Sequence, residues 1–386
     1  MYYSRLLENT ILESLETNPV TAILGPRQCG KSTLAKHLIS TSREAVYLDL
    51  EKPSDYEKLN DPEWFFSTQK NKIICVDEIQ RKPELFPVIR SLTDEWGGNG
   101  HFLILGSASR DLLNQSSESL AGRISYKYLT PFLIKEISND YPLEEYIEKG
   151  GFPRSILAKT SDISYNWRED FVITFLEKDL LQWAGFSSVT MRKLWQMLAH
   201  NNGQTVNYSS MGNSLSVSHS TIRNYIELLA HTYMLYIIPP YIKNTGKRLV
   251  KSPKVYISDP GIANALLGIR SFEQLTGHPS FGAIWETIVL ENLTGYFPLC
   301  NFYFYRTNHG SEIDFILEYR GKIIGVECKN TLSPTVTRGT WQAIEDLNLE
   351  KLVVISPVDK NWQMKENIEV SSLKNSVSIL SEALNL

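Results

Sequence analysis

The chain has few cysteines and no long apolar run. None of the cysteines lies in a C-x-x-C spacing, so the sequence excludes a zinc site built on paired cysteines. Two fall in poor disulfide positions, a glycine-rich turn and an apolar strand-like run, which favours a reducing cytoplasm. No apolar segment approaches the ~20 residues that cross a bilayer, and no signal-peptide pattern begins the chain, so we expect no membrane association. The four cysteines are Cys29, Cys75, Cys300 and Cys328.

An excess of positive charge is also missing. The formal net charge is −4, with 42% hydrophobic and 21% charged residues, which is ordinary for a soluble globular protein. This balance argues against a chain that coats nucleic acid over its whole surface, although it permits a local basic patch. At 386 residues the chain is too long for one ordinary core, so we expect two or three domains.

The clearest positive feature is a phosphate-binding pattern near the beginning of the chain. Residues 25–32 read G-x-x-x-x-G-K-S, between an apolar strand-like stretch at 20–24 and a helical stretch at 33–39. Two glycines would let successive backbone amides face a β-phosphate, and the following helix adds its positive end. Lys31 would reach the β- and γ-phosphates, and Ser32 would ligate Mg²⁺.

A second apolar run, residues 72–76, ends in the carboxylates Asp77 and Glu78. A run that is apolar throughout is typical of a parallel strand buried on both faces, and such sheets bind ligands at the carboxyl ends of their strands. Asp77 would therefore hold the Mg²⁺ shell, and Glu78 would polarise the attacking water. The ordinary alternative is a strand that happens to end in acids, which the upstream phosphate loop disfavours.

Two more strand-like runs lie at residues 46–50 and 101–106. Ser107 follows the second run and is a candidate contact for the γ-phosphate or the water, although turn chemistry also explains a serine there. The alternation of strands and helices predicts an α/β sheet with right-handed crossovers.

Five motifs together resemble a prokaryotic family of AAA-type ATPases with a C-terminal domain of obscure function. They are GPRQCGKST, VDEIQRKPELFP, LILGSASRDLL, LAGRISYKYLTP and GGFPRS, and the resemblance covers the whole chain. It implies Asp77 and Glu78 as the Walker B pair, and ATP binding by the loop residues. Those residues are Gly25, Pro26, Arg27, Gln28, Cys29, Gly30, Lys31, Ser32 and Thr33.

The same resemblance implies an arginine finger that neutralises developing charge on the γ-phosphate. Arg123 is the first candidate and Arg110 the second, while a structural salt bridge is an equal alternative for Arg123. AAA-type ATPases commonly oligomerise, which implies a homo-oligomer with the finger acting between chains. Arg154 is a further candidate near the nucleotide, although a turn after a helix explains it equally well.

The middle of the chain predicts a winged helix-turn-helix. Helical stretches at 191–200, 208–215 and 218–233 precede strand-like runs at 235–241 and 253–258. The third helix would present His219, Thr221, Arg223 and Asn224 to DNA, and a basic connection would contact phosphates. Docking of a protein partner is the alternative, because that helix has a single arginine. The basic connection contains Lys243, Lys247, Arg248, Lys251 and Lys254.

The last third contains strand-like runs at 302–306, 312–319 and 322–329, the last two joined as a hairpin. The pattern resembles the PD-(D/E)XK nuclease fold, with Ile313 where a proline is usual. The resemblance implies Asp314 and Glu327 as Mg²⁺ ligands, Lys329 as the catalytic cation and, on a helix upstream, Glu286 as an accessory acid. The alternative is an inactive fold in which these residues form an ionic cluster.

The predicted fold class is α/β: an AAA-type P-loop NTPase sheet, a winged helix-turn-helix and an α/β restriction-endonuclease-like domain. We place the domains at residues 1–160, 161–260 and 261–386. The predicted function is Mg²⁺-dependent ATP hydrolysis coupled to engagement of DNA or RNA, with metal-dependent cleavage by the last domain. The alternative is a nucleotide-gated switch or scaffold that binds a protein partner through an inactive nuclease-like fold.

Overall fold

The computed structural model describes residues 2–41, 44–106, 116, 118–179, 187–242 and 249–386. The contacts divide the chain into two compact units. One unit consists of Met1–Phe132 and His231–Tyr233, and the other of Leu133–Ala230 and Met234–Leu386. The predicted domain limits after residues 160 and 260 do not coincide with this division and stay predictions. Within the second unit, helices on both sides of these limits pack against each other.

The first unit is built on a parallel sheet. In its described part the strand order is β2-β3-β4-β1-β5, and every pairing is parallel. The strands are β1 (Val20–Leu24), β2 (Ala45–Asp49), β3 (Ile73–Asp77), β4 (Phe102–Gly106) and β5 (Ile124–Tyr128). The helices are α1 (Glu8–Thr17), α2 (Lys31–Thr41), α3 (Pro53–Lys58), α4 (Pro62–Ser67) and α5 (Leu85–Trp96). A 3-10 turn spans Ile79–Arg81.

Strands β1, β3 and β4 are buried along their whole length. Their alternate side chains enter two apolar clusters, one on each face of the sheet. Phe102, for example, packs edge-on against Phe66 and stacks on Trp96. Burial on both faces explains why these strands read as continuous apolar runs, and it confirms the predicted parallel α/β sheet. Their carboxyl ends meet at one edge of the sheet.

The second unit begins with helices and a strand pair. Strands β6 (Leu235–Ile238) and β7 (Lys254–Ile257) pair antiparallel after three helices, in the order the sequence predicted. The early helices are α6 (Ile134–Ile137), α7 (Leu143–Lys149), α8 (Pro153–Ile156) and α9 (Ser161–Thr174). The three that precede the strands are α10 (Ser188–His200), α11 (Tyr208–Leu215) and α12 (His219–His231). A π-helical turn spans Phe175–Asp179.

A mixed sheet completes the second unit, with described strands in the order β12-β13-β11-β10-β9-β8. The strands are β8 (Asn301–Arg306), β9 (Glu312–Tyr319), β10 (Lys322–Cys328), β11 (Leu352–Ile355), β12 (Trp362–Lys365) and β13 (Ile368–Ser371). The helices are α13 (Pro260–Leu266), α14 (Phe272–Thr276), α15 (Phe281–Tyr296), α16 (Arg338–Leu347) and α17 (Leu373–Leu384). Among the described residues no helix is both long and apolar enough to span a bilayer.

The predicted hairpin is confirmed, with Tyr319 opposite Lys322. The apolar run at residues 351–355 predicts β11 as the final strand of the chain. This prediction was wrong, because β13 pairs with β11 in parallel and β12 pairs with the outer edge of β13. Both added strands have only four residues and no continuous apolar run. β13 is stabilised by pairing with β11 and β12 by pairing with β13, and no local pattern reveals either pairing.

Glu291, on α15, is a fully buried carboxylic acid. The hydroxyl of Tyr146 donates a hydrogen bond of 3.0 Å to its Oε2 atom. Burial, reinforced by the charge of Asp259, raises the pKa of Glu291 well above its usual range. We infer that this side chain is neutral at neutral pH, since a lone buried carboxylate takes up a proton rather than remain charged.

Replacing Glu291 with glutamine should therefore change the pH dependence of stability. A carboxyl whose folded pKa is raised loses stability as the pH rises from its unfolded pKa towards its folded one, by about 1.4 kcal/mol per pH unit. We expect Glu291→Gln to match the wild type at pH 5 and to be more stable at pH 8, measured by urea unfolding. Glu273→Gln, an exposed change in the same unit, is the control. Parallel pH profiles for wild type and Glu291→Gln would contradict a neutral Glu291.

Candidate functional site

The loop between β1 and α2 has the curled backbone that the sequence predicted. A Cβ atom on Gly25 would lie 2.1 Å from the carbonyl oxygen of Leu129, so no side chain fits there. Gln28 and Gly30 have φ values of 63° and 104°, in the left-handed region that favours glycine. The chain then enters α2 directly at Lys31, so the loop leads straight into the positive end of a helix.

Arg5 holds this loop in place through hydrogen bonds to backbone carbonyls. The sequence analysis did not identify this residue. Its buried guanidinium donates from Nη1 to the carbonyl of Cys29 at 3.1 Å, and from Nη2 to those of Thr130 and Pro131 at 2.7 and 3.1 Å. It also lies over the Phe132 ring. One side chain thus ties the loop to the segment after β5, a role that no nearby motif signals.

The ammonium of Lys31 lies inside the loop and is buried. Its Nζ atom donates to the carbonyl oxygens of Gly25 and Pro26 at 3.0 and 2.8 Å. Ser32 is half-buried, and Thr33 is exposed on the first turn of α2. Burial raises the pKa of Glu78 and the charge of Arg27 opposes this rise, so the side chain of Arg27 lies near the acid that follows β3.

Asp77 ends β3 and is buried, with both carboxylate oxygens engaged. Its Oδ1 atom accepts from the backbone N–H of Glu78 at 3.0 Å, and its Oδ2 atom accepts a short hydrogen bond from the Tyr47 hydroxyl. The same hydroxyl also hydrogen-bonds the side chain of Ser32. Ser32 and Asp77, the predicted Mg²⁺ residues, therefore converge on one point. A hydroxyl and a carboxylate are the hard oxygen donors that suit Mg²⁺, so this pair fits the ion.

Glu78 occupies a left-handed backbone conformation with φ of 56°, uncommon for a residue with a side chain. Gln80 donates a short hydrogen bond to its Oε2 atom. Burial raises the pKa of Glu78, while the charge of Lys31 works in the opposite direction. A desolvated carboxylate held beside the phosphate-binding lysine has the surroundings of a general base.

Arg123 lies at the opposite edge of the sheet from the phosphate loop. Its backbone carbonyl accepts from the N–H of Val20, the first residue of β1, whereas the loop follows Leu24. One strand of five residues at about 3.3 Å each, about 16 Å, separates the two sites. The guanidinium pairs with Asp94 through bonds of 2.5 and 2.9 Å. Within one chain Arg123 is therefore a salt-bridge residue, and a finger role requires a neighbouring chain.

We expect Arg123→Ala to leave ATP turnover per chain within about twofold at dilutions that keep chains apart, because exposed ion pairs contribute little. Turnover measured over a series of protein concentrations is the test. A loss that develops only as concentration rises would assign the finger to a neighbouring chain. An equal, large loss at every concentration would contradict the geometry. Arg110 and Ser107, the other candidates near the phosphate, lie outside the described residues.

In the second unit, the side chains predicted for the nuclease-like site come together. Lys329 Nζ lies 2.7 Å from Glu327 Oε1, and Asp314 Oδ2 accepts from the N–H of Cys328 at 2.8 Å. Burial, followed by the charge of Asp314, raises the pKa of Glu286 to about 7 and that of Glu327 to about 8. The three acids and Lys329 therefore form one electrostatically coupled cluster.

Lys254 belongs to this cluster, and its predicted place in an exposed basic connection was wrong. It is the first residue of β7, and its side chain is 3% exposed. Its Nζ atom lies 2.9 Å from Glu312 Oε1 and 3.9 Å from Asp314 Oδ1. Burial favours the neutral amine, but the charges of Glu286, Asp314 and Glu312 outweigh it and raise the pKa of Lys254. Of the other basic residues, Lys251 is exposed, and Lys243, Lys247 and Arg248 lie outside the described residues.

The cluster does not fit a preformed metal site. Lys254 and Lys329 already pair with its acids, and Tyr256 donates to Glu286 Oε2 at 2.8 Å. In the described part of the chain, no three acidic, histidine or cysteine side chains are placed to hold a metal ion. Glu327 Oε2 is buried with no hydrogen-bond partner among those residues. We derive no metal-dependent step at this cluster.

The predicted recognition helix, α12, presents a polar face. His219, Arg223 and Asn224 are exposed and Thr221 is half-buried. Ser218 caps the helix by accepting from the N–H of Thr221 at 3.1 Å. The guanidinium of Arg223 lies over the ring of Tyr208 on α11. Arg154, on the short helix α8, is also exposed. These positions leave the nucleic-acid prediction open.

The parallel sheet and its phosphate loop define an AAA-type P-loop ATPase, and an AAA domain family matches residues 17–138. Two domains of unknown function, DUF8612 and DUF4143, match residues 141–273 and 281–375. The chain belongs to the family of an uncharacterized protein of Mycobacterium tuberculosis. The two are 36% identical over 356 residues, which cover 92% of this chain and 80% of the relative.

Other similarities are weaker. An uncharacterized protein of Haemophilus influenzae is 23% identical over 290 residues, 67% of this chain and 72% of its own length. The Walker-type ATPase of Pyrococcus abyssi is 17% identical, with 69% of this chain and 96% of that chain covered and a TM-score of 0.48. AMPPCP-bound DnaA from Aquifex aeolicus is 13% identical, with 58% of this chain and 86% of that chain covered and a TM-score of 0.30. The AAA domain match confirms the predicted ATPase class and supports nucleotide binding and hydrolysis, while the winged helix and nuclease stay predictions.

Proposed function

We propose that this protein is a Mg²⁺-dependent ATPase. The observation that carries the proposal is the placement of Lys31, Ser32, Asp77 and Glu78 at the edge where β1 and β3 end, with Glu78 desolvated beside Lys31. The loop amides bind phosphate, and Lys31 leaves the carbonyls of its own loop to pair with the γ-phosphate. Ser32 and Asp77 would hold Mg²⁺, which would supply charge that neutralises the phosphates. Glu78, aimed by Gln80, orients the attacking water and accepts its proton.

The second unit is proposed to engage DNA or RNA in a nucleotide-dependent way. Helices α10 to α12 with β6 and β7 would form the winged helix, and the exposed His219, Arg223 and Asn224 would face the nucleic acid. One observation favours the alternative, a switch with a protein partner. The burial of Lys254 removes a positive charge from the surface that would contact phosphates.

Steady-state ATP turnover by the full chain tests both levels of the proposal. Turnover should require Mg²⁺ and stop in EDTA, because the ion would supply charge that neutralises the phosphates. Stimulation by double-stranded DNA or by RNA, falling as salt rises, would support engagement of nucleic acid. Turnover that is unchanged by DNA and by RNA would favour the alternative, in which the second unit binds a protein partner. Absence of Mg²⁺-dependent turnover with every addition would refute the ATPase itself.

We propose cleavage by the C-terminal cluster as a second candidate function, which the 2.7 Å contact between Lys329 Nζ and Glu327 Oε1 supports. It requires that an added metal ion displace Lys254 and Lys329 from the acids. The test is nicking of supercoiled DNA by the full chain with added Mg²⁺ or Mn²⁺. Metal-dependent nicking that disappears in Lys329→Ala would support it. Nicking that persists in Lys329→Ala would come from another source.

A further inference from the structure

The hydroxyl of Tyr47 links the two side chains assigned to Mg²⁺. Tyr47 lies on β2 opposite Cys75 of β3, two residues before the Asp49–Asp77 pair. Its hydroxyl donates to Asp77 Oδ2 and also hydrogen-bonds Ser32. It therefore lies between a hydroxyl and a carboxylate that would otherwise share a cation. Neither the phosphate-loop motif nor the acidic strand end contains this residue, so the sequence analysis missed it.

The geometry around Tyr47 fixes the ring in this position. Lys36, one turn after Ser32 on α2, places its ammonium 4.5 Å from the centre of the ring. The side chain is half-buried between α2 and β3. A tyrosine hydroxyl is protonated at neutral pH and an ionised carboxylate only accepts, so the hydroxyl acts as the donor to Asp77.

We propose that Tyr47 is a positioning residue whose hydroxyl competes with Mg²⁺ for Asp77 and Ser32, and so sets the Mg²⁺ concentration that nucleotide binding requires. The inference rests on the proposed Mg²⁺-dependent binding of ATP. Asp77 has one oxygen on the backbone N–H of Glu78, which leaves Oδ2 as the atom for which hydroxyl and cation compete. Tyr47 would move off this oxygen when the cation binds.

The direction of the change in Mg²⁺ affinity depends on which form of the protein, metal-free or metal-bound, loses the hydrogen bond. Without the hydroxyl, Oδ2 of the buried Asp77 loses its donor in the protein without metal, and that form is destabilised. The metal-bound form, in which the cation has replaced the hydroxyl, is nearly unaffected. Tyr47→Phe should therefore lower the half-saturating Mg²⁺ concentration about tenfold, the size of effect typical of a hydrogen bond to a charged group.

The experiment is a titration of Mg²⁺ into the full chain with a fluorescent, non-hydrolysable ATP analogue. The half-saturating Mg²⁺ concentration is compared for wild type, Tyr47→Phe and Tyr165→Phe. Tyr165 is the matched control, because its hydroxyl donates to the carboxylate of Glu169 in the second unit. We expect only Tyr47→Phe to shift the titration, with binding of the analogue in EDTA unchanged. In an Asp77→Asn background the same substitution should have no effect, since the competing carboxylate is gone.

An unchanged Mg²⁺ titration for Tyr47→Phe would overturn the inference. A higher half-saturating concentration would overturn it too, because the hydroxyl would then support the bound cation rather than compete with it. Thermal unfolding confirms that each variant is folded before it is titrated. If the wild type fails to bind the analogue at any Mg²⁺ concentration, the proposed ATPase function itself fails. Mg²⁺-dependent binding that is identical in both proteins refutes only the role of Tyr47.

Discussion

Glu78→Gln is expected to reduce ATP turnover by roughly 10²- to 10⁴-fold, the range that a positioned general base contributes. Glutamine keeps the shape of the side chain but cannot accept the proton of the attacking water. The side chains of Lys31 and Asp77, which we propose contact the nucleotide and its metal, are untouched, so affinity for ATP should change little. Single-turnover hydrolysis and binding of a non-hydrolysable analogue, measured side by side, separate the two effects.

Glu84→Gln is the matched control for this prediction. It removes the same charge from an exposed position six residues further along the chain, just before α5. Its turnover should equal that of the wild type. If Glu78→Gln keeps more than about a tenth of wild-type turnover, then a different residue activates the water. If it loses nucleotide affinity as well, Glu78 acts in binding rather than in the chemical step.

The phosphate loop and the acids of β3 could be predicted because their signals are local. An apolar run, a glycine-rich turn and a helix follow one another within about twenty residues. This succession of a strand, a turn and a helix is typical of a phosphate-binding loop. Tyr47 and Arg5 could not be predicted in the same way. Their functions depend on the pairing of β2 with β3 and on a segment more than a hundred residues distant. The spacing of residues in the sequence predicts neither contact.

In the C-terminal cluster the positions of the acids and Lys329 could be predicted from the sequence, whereas the burial of Lys254 could not. Alternation along β10 correctly placed Glu327 and Lys329 on one face, and the hairpin brought Asp314 beside them. A lysine in a polar stretch gives no local sign of burial, however, so Lys254 was assigned to the surface. Its ammonium is buried because β7 brings it to the acids on β9 and α15. Metal binding by the cluster stays a prediction, and the local sequence gives no sign that Lys254 already pairs with its acids.

Lys254→Ala is expected to destabilise the second unit by about 3 kcal/mol, the lower end of the cost of removing one partner from a buried ion pair, because Glu312 is one-third exposed. Glu312 would lose its 2.9 Å partner, and Asp314 would lose the nearby charge that favours its ionised form. Urea unfolding of the full chain should show a lower midpoint for the transition of this unit. ATP turnover should persist, because Lys254 belongs to the unit that lacks the phosphate loop.

Lys251→Ala provides the control, since it removes an exposed lysine three residues earlier in the chain. It should leave the unfolding midpoint unchanged. A second substitution makes the test specific. If the ion pair is the cause, adding Glu312→Gln to Lys254→Ala should recover part of the lost stability, because it removes a negative charge that would then have only the 3.5 Å contact with Arg306. Equal stability of Lys254→Ala and Lys251→Ala would instead mean that the contact between Lys254 and the acids contributes little stability. A metal ion could then displace the ammonium at little cost, and the nuclease prediction would gain support.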